Sequence, residues 1–296
     1  MSNFTNRELL KWCAIPAGDL VDHPQRRIPL RIVANSTEMG QVMAEELVSL
    51  IIAAQANGKS LRAIIPCGPM AWLAPFAEIV NSRNVSLANL EVFHMDECLD
   101  WQGRELPAMH PYSFRGTMQR EFYDTISPEL QVPLQNRHWL NPETYVSLAA
   151  ELIANPADIV YGGWGQDGHV AYNQARRNPY SSVTVDDLTI AAARMQDNNA
   201  DTIIALSQRS LGGAYQLVPP MSVTLGLREI YAARRIRLFS DTGAWKQTAL
   251  RVALFSEPTP DYPLTLLQSH PDVLLTATAA TAEHPVALHP EWEFAL

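Results

Sequence analysis

The chain has 296 residues, 47% of them hydrophobic, which is ample for one large α/β domain and only a weak argument for two. Its net charge of −9 comes without a basic run, so it lacks the electrostatic footprint of a nucleic-acid binder. A local pocket of Arg and Lys still suits an anionic ligand on such a chain.

Residues 1–28 read as an N-terminal extension with a short helix around Asn6 to Cys13. It either packs on the domain or covers a neighbouring subunit. Its first residues, MSNFTNRELLKW, are polar where a signal peptide needs an apolar run. Residues 29–296 read as a single domain. Leu30 to Ala34 fits a buried strand. Asn35 with Glu38 gives a capping-box-like start to a helix running to about Ala56, which Asn57-Gly58 ends. The next strand is Leu61 to Pro66, after which Gly68-Pro69 opens another helix. Leu90 to His94 reads as a strand, Pro111 to Tyr123 and Pro142 to Ile153 as helices, and Asp158 to Tyr161 as a strand running into glycines. Ser222 to Leu225, Ile236 to Ser240 and Val273 to Thr276 are later strands, with a helix at Thr242 to Leu254. Strands alternating with amphipathic helices predict an α/β fold with a mainly parallel sheet covered on both faces. Ligands in such sheets bind beyond the carboxyl ends of strands. That rule singles out Pro66 to Met70, His94 to Cys98 and Tyr161 to Gln174.

Cys13, Cys67 and Cys98 form no C-x-x-C pair, and their odd number suggests no disulfide framework. The longest apolar stretch, Leu47 to Ala54, is interrupted by Ser49 and is too short to span a bilayer. A soluble cytoplasmic protein is expected, acting neither on nucleic acid nor in a membrane.

The segment Y-G-G-W-G-Q-D-G-H-V-A-Y-N-Q at 161–174 crowds four glycines at a strand end around Asp167 and His169. Glycine permits close approach of backbone to a ligand, and a carboxylate two residues from an imidazole can orient the ring for proton transfer. Spacing alone equally allows a Gly-rich turn with a capping Asp and a hydrogen-bonded His. The pattern is a poor fit to a dinucleotide fingerprint. In E-V-F-H-M-D-E-C-L-D at 91–100, an apolar strand ends in Asp96 and Glu97. A partly desolvated carboxylate there can serve as general base, the alternative being a solvated acidic loop, which is the reading preferred for Asp100. His94 and Asp96 would share a strand face, yet with Asp167 and His169 they match no structural zinc spacing, so no metal is expected. Cys67 has no evident His partner and reads as a buried apolar residue rather than a nucleophile.

Together, Met95-Asp96-Glu97, His110-Pro111, Ser113-Phe114, G-G-W-G-Q-D-G-H-V-A-Y-N at 162–173, D-T-G-A-W-K-Q-T-A-L at 241–250 and L-L-Q-S-H-P at 266–271 resemble the glucosamine-6-phosphate deaminase family. The resemblance covers roughly residues 30–280 in order, and the D-G-H-x-A-x-N block is its most specific element. It implies a modified Rossmann-like sheet, a small phosphorylated sugar as substrate, no cofactor, and a metal-free aldose–ketose isomerisation coupled to loss of ammonia. It leaves room for a homo-oligomer. By position, it implies that Asp96 moves a proton between C2 and C1, and that His169, oriented by Asp167, opens the sugar ring. Arg194, Lys246 and the loop with Cys67, Gly68 and Met70 would hold the phosphate, with Gly165 beside the substrate. Two departures stand out. Gln174 occupies the place of a family Glu that supports the Asp–His pair, so His169 should be less basic than in the family. The loop Pro66-Cys67-Gly68-Pro69-Met70 lacks one family glycine and a hydroxyl donor, and Pro69 has no N–H to give a phosphate. These departures keep open a related phosphosugar isomerase, lyase or lactonase, or a non-catalytic sugar-phosphate sensor.

Overall fold

The structure is a computed structural model and describes residues 3–174 and 183–295. Ten strands are found among them: β1 (Leu30–Val33), β2 (Leu61–Ile65), β3 (Leu90–His94), β4 (Asp96–Leu99), β5 (Arg137–His138), β6 (Ile159–Gly162), β7 (Arg194–Asp197), β8 (Met221–Thr224), β9 (Ile236–Ser240) and β10 (Val273–Thr278). Seven form a sheet in the order β1-β10-β9-β6-β2-β3-β5, parallel throughout. The helices that matter below are α1 (Asn6–Cys13), α2 (Ser36–Ala56), α3 (Leu73–Ser82), α4 (Phe114–Met118), α5 (Tyr145–Ala154), α6 (Val185–Thr189), α7 (Ala200–Ser210), α8 (Leu227–Tyr231) and α9 (Gln247–Phe255).

The short apolar strands are buried on both sides, and alternation assigns each residue to a face. Ile64, Phe93, Val160 and Leu238 enter the core beneath α5, α8 and α9. Their neighbours Ala63, Ile65, Val92, Ile159, Tyr161 and Phe239 enter the core beneath α2 and α3. The expected α/β sheet covered on both faces is therefore the one observed. Asn35 caps α2 by accepting from the Glu38 N–H, while the Glu38 carboxylate accepts from Ala34 N.

Three local expectations are corrected. No helix starts at Gly68-Pro69: that peptide is cis, residues 66–72 form a loop, and α3 begins at Leu73. The expected long helix from Pro111 starts at Phe114, and its second half, Gln119–Tyr123, widens into a π-helical turn. Ser222 to Leu225 is strand β8, but it joins a second, antiparallel sheet β4-β8-β7 rather than the parallel one. Asp96 to Leu99 forms another strand of that sheet. Residues 3–28 pack on the chain's own domain. Cys13, Leu20 and Ile28 are buried, Phe4 meets Trp12 and Tyr262, and Arg27 pairs with Glu257. None of the helices among the described residues is long and apolar enough to cross a membrane.

Candidate active site

Beyond β2 the chain moves outward across β3 to β5, whereas beyond β6 it moves the other way across β9 to β10. The carboxyl ends of the adjacent strands β2 and β6 are thus the switch point where an open parallel sheet leaves a crevice. A cleft of about 600 Å³ lies there. The loop after β2 supplies Cys67, Gly68 and Met70, the loop after β6 supplies Gly165 and His169, and the start of β4 supplies Asp96. Lys246 enters from the turn before α9, and Thr202, Leu206 and Arg209 enter from α7.

The second sheet places Asp96. After β3 the chain turns at Met95, whose N–H bonds Ile65 O and whose carbonyl accepts from Leu225 N. Asp96 then pairs with Thr224 of β8. Its carboxyl is pushed up to about 7, first by desolvation and then by the neighbouring Glu97, against the pull of His169. A carboxyl poised near neutrality can both accept and return a proton. Glu97, one residue on, alternates to the other side. It is buried, and its oxygens accept from the N–H groups of Cys98, Phe114 and Arg115 at 2.7–2.8 Å. It anchors the start of α4, and burial raises its carboxyl to about 7 against those three donors.

The D-G-H segment builds the second functional group. His169 Nδ1–H donates to Asp167 Oδ1 at 2.6 Å, leaving Nε2 as the nitrogen open to a ligand. Burial acts to raise Asp167, but the charge and hydrogen bonds of His169 hold it at about 2. The ionised, buried partner fixes the ring's orientation and its tautomer. Gly165 is required by this geometry: a Cβ there would sit 2.1 Å from His169 Cε1. On its other side the imidazole lies nearly parallel to Tyr172, centroids 6.0 Å apart.

Two expected site residues are not brought to the cleft. Arg194 lies on β7, where its guanidinium donates to Asn173 Oδ1 at 2.9 Å and to Gln196 Oε1 at 3.0 Å. The fully buried Asn173 in turn donates to Val170 O and Leu225 O. Arg194 thus braces the loop that carries His169. Gln174 is 2% exposed and points at α7: its Oε1 accepts from Asn199 N at 2.8 Å and its Nε2 donates to Thr202 Oγ1 at 2.9 Å. The expected support of His169 by this position gives way to capping of α7. His94 also turns away, stacked on Trp139 at 3.8 Å and bonded to Tyr123 Oη. No cluster of three metal-ligating side chains is found among the described residues. Cys67, expected to be buried, is half-buried and lines the cleft, and desolvation raises its thiol far above its ordinary range.

Sequence reasoning missed Arg209, because α7 itself was not foreseen. Its signals are present in retrospect: Asn199 before the helix, Asp201 in the first turn and Gly212-Gly213 beyond its end.

No protein-family model matches the chain. It is 28% identical over 236 residues to a glucosamine-6-phosphate deaminase of Caenorhabditis elegans, covering 76% of this chain and 80% of that protein. It is 29% identical over 253 residues to one of Aliivibrio fischeri, covering 83% and 87%. In sequence, the chain is similar to glucosamine-6-phosphate deaminases. A solved monomeric glucosamine-6-phosphate deaminase of the NagB superfamily superposes with a TM-score of 0.72 at 18% identity, covering 86% of this chain and 98% of that one. The 6-phosphogluconolactonase of Trypanosoma cruzi superposes with a TM-score of 0.59, also at 18% identity, covering 86% and 96%. The fold is the α/β Rossmann-like fold shared by those deaminases and lactonases.

Proposed function

We propose that the chain isomerises and deaminates an amino-sugar phosphate of the glucosamine 6-phosphate type, yielding the ketose phosphate and ammonia. The observation that carries this is the shared cleft: Asp96, with a carboxyl near neutrality, and His169, held by ionised Asp167, face the same space as Lys246. His169 gives a proton to the ring oxygen as the pyranose opens. Asp96 takes the proton from C2 and returns it to C1, while the C1 carbonyl oxygen gains the proton that the amino nitrogen gives up, so that C1 becomes a hydroxymethyl carbon and the C2–N bond an imine. Water adds to that carbon and ammonia leaves. Lys246 and the loop at Cys67, Gly68 and Met70 form the phosphate end. Binding energy spent there orients the reacting carbons.

The test is ammonia release from glucosamine 6-phosphate, with ketose phosphate measured in parallel. Equal amounts of both products support the proposal. Lactone hydrolysis without ammonia release, or ligand binding without turnover, overturns it.

A further inference from the structure

With Arg194 committed to Asn173 and Gln196, the phosphate end of the cleft has lost the Arg that the resemblance expects there. A different cation stands in the cleft. Arg209, in the last turn of α7, and Lys246, before α9, both line it and approach the same indole. The guanidinium carbon of Arg209 is 5.8 Å and Lys246 Nζ 5.0 Å from the centroid of Trp245. Arg209 is exposed and Lys246 half-buried. Among the described residues, neither has a carboxylate within ion-pair distance, and Asp241, whose charge acts on Lys246 across the cleft, accepts a hydrogen bond from Ser36 Oγ at 2.7 Å. Two like charges lining one cleft repel, and a dianion placed between them removes that repulsion. Arg contributes a planar fork for two phosphate oxygens, Lys a point charge.

We propose that Arg209, and not Arg194, is the guanidinium that grips the substrate phosphate, in partnership with Lys246. This rests on the phosphosugar reading above. It makes α7 part of the specificity apparatus: the helix start is tied by Gln174 and by Gln166 to the loop that carries His169, while its far end carries the phosphate ligand. Phosphate recognition and ring opening are thereby joined by one short helix.

The test compares the affinities of glucosamine 6-phosphate and unphosphorylated glucosamine for wild type, Arg209→Ala and Arg209→Lys, by calorimetry, with steady-state KM beside them. Loss of one charged hydrogen-bonding partner should weaken binding of the phosphorylated ligand by roughly 10- to 100-fold. Glucosamine itself should be bound with unchanged affinity by the Ala variant, and Arg209→Lys should recover part of the loss. Arg209→Ala binding the phosphosugar as wild type does overturns the proposal, and so does a wild type that does not prefer the phosphorylated ligand. A wild type that prefers the phosphorylated ligand through Arg209 but releases no ammonia leaves this assignment supported and overturns only the deaminase reading.

Discussion

Asp96→Asn tests activity and stability with one atom. The substitution keeps the shape of the side chain and removes its titration. The carboxyl ionises near 3.8 in an unfolded chain and at about 7 in the cleft, a rise caused first by desolvation and then by Glu97. Three units correspond to about 4 kcal/mol, an upper bound because the group is only partly buried and water screens it. For an acid whose folded pKa is raised, the native state binds more protons than the unfolded state between the two values. Stability therefore falls as pH rises from about 4 to about 7 and is level above that. The Asn variant lacks this loss. Its stability advantage over wild type should be near zero at pH 4, grow through pH 6 and reach up to a few kcal/mol at pH 8, as read by urea denaturation. Over the same range its turnover should be lower by about 10²–10⁴-fold, the usual worth of a general base. Wild-type activity should itself fall as pH drops below about 7. A stability difference that does not vary with pH would refute the desolvated carboxyl, and turnover within tenfold of wild type would refute its role as base.

Gly165→Ala places a methyl 2.1 Å from His169 Cε1. It should displace the ring and lower kcat by at least about tenfold, with KM little changed, since a small misplacement of a reacting group is costly; an unaltered kcat would show that the ring position is not critical. Lys246 is lowered to about 8, first by burial and then by Arg209, against Asp241 and Asp167. It loses its charge as pH rises through 8, so KM for the phosphosugar should climb there, and Lys246→Arg should hold KM level to higher pH. Gln174→Ala removes two hydrogen bonds from α7 and should cost about 1–3 kcal/mol in unfolding experiments and raise KM. The pH profile of kcat should stay in place, and a shifted profile would return Gln174 to the neighbourhood of His169.

The parallel sheet was legible because its strands are short apolar runs buried on both faces, and LRAII, LEVFH and IRLFS announce themselves by composition. The second sheet was not. Arg194-Met195-Gln196-Asp197 and Asp96-Glu97-Cys98-Leu99 carry polar residues at buried positions because specific partners satisfy them. Gln196 gives its amide to Tyr172 O, and Glu97 accepts three backbone N–H groups. A strand whose polar atoms are satisfied by distant loops has no apolar alternation to betray it. The π-helical turn at Gln119–Tyr123 likewise leaves the hydrophobic pattern of a helix intact while changing its hydrogen bonding.

The site divides along the same line. The positions of Asp96, Asp167, His169 and Gly165 were legible because they follow from the backbone they belong to: a strand start, and a tight loop in which His169 and its partner are two residues apart. Arg194 and Gln174 could not, because their side chains are long or amphoteric and several partners lie within reach. A guanidinium with five donors satisfies Asn173 and Gln196 as readily as a phosphate. A Gln side chain, donor and acceptor at once, can bridge Thr202 Oγ1 and the Asn199 N–H in a way that keeps it neutral in a buried place. A Glu at that position would have to bury a charge 2% exposed to water, or find a cation to share it. The neutral Gln suits this buried place, where it holds the entrance to α7, the helix whose last turn carries Arg209.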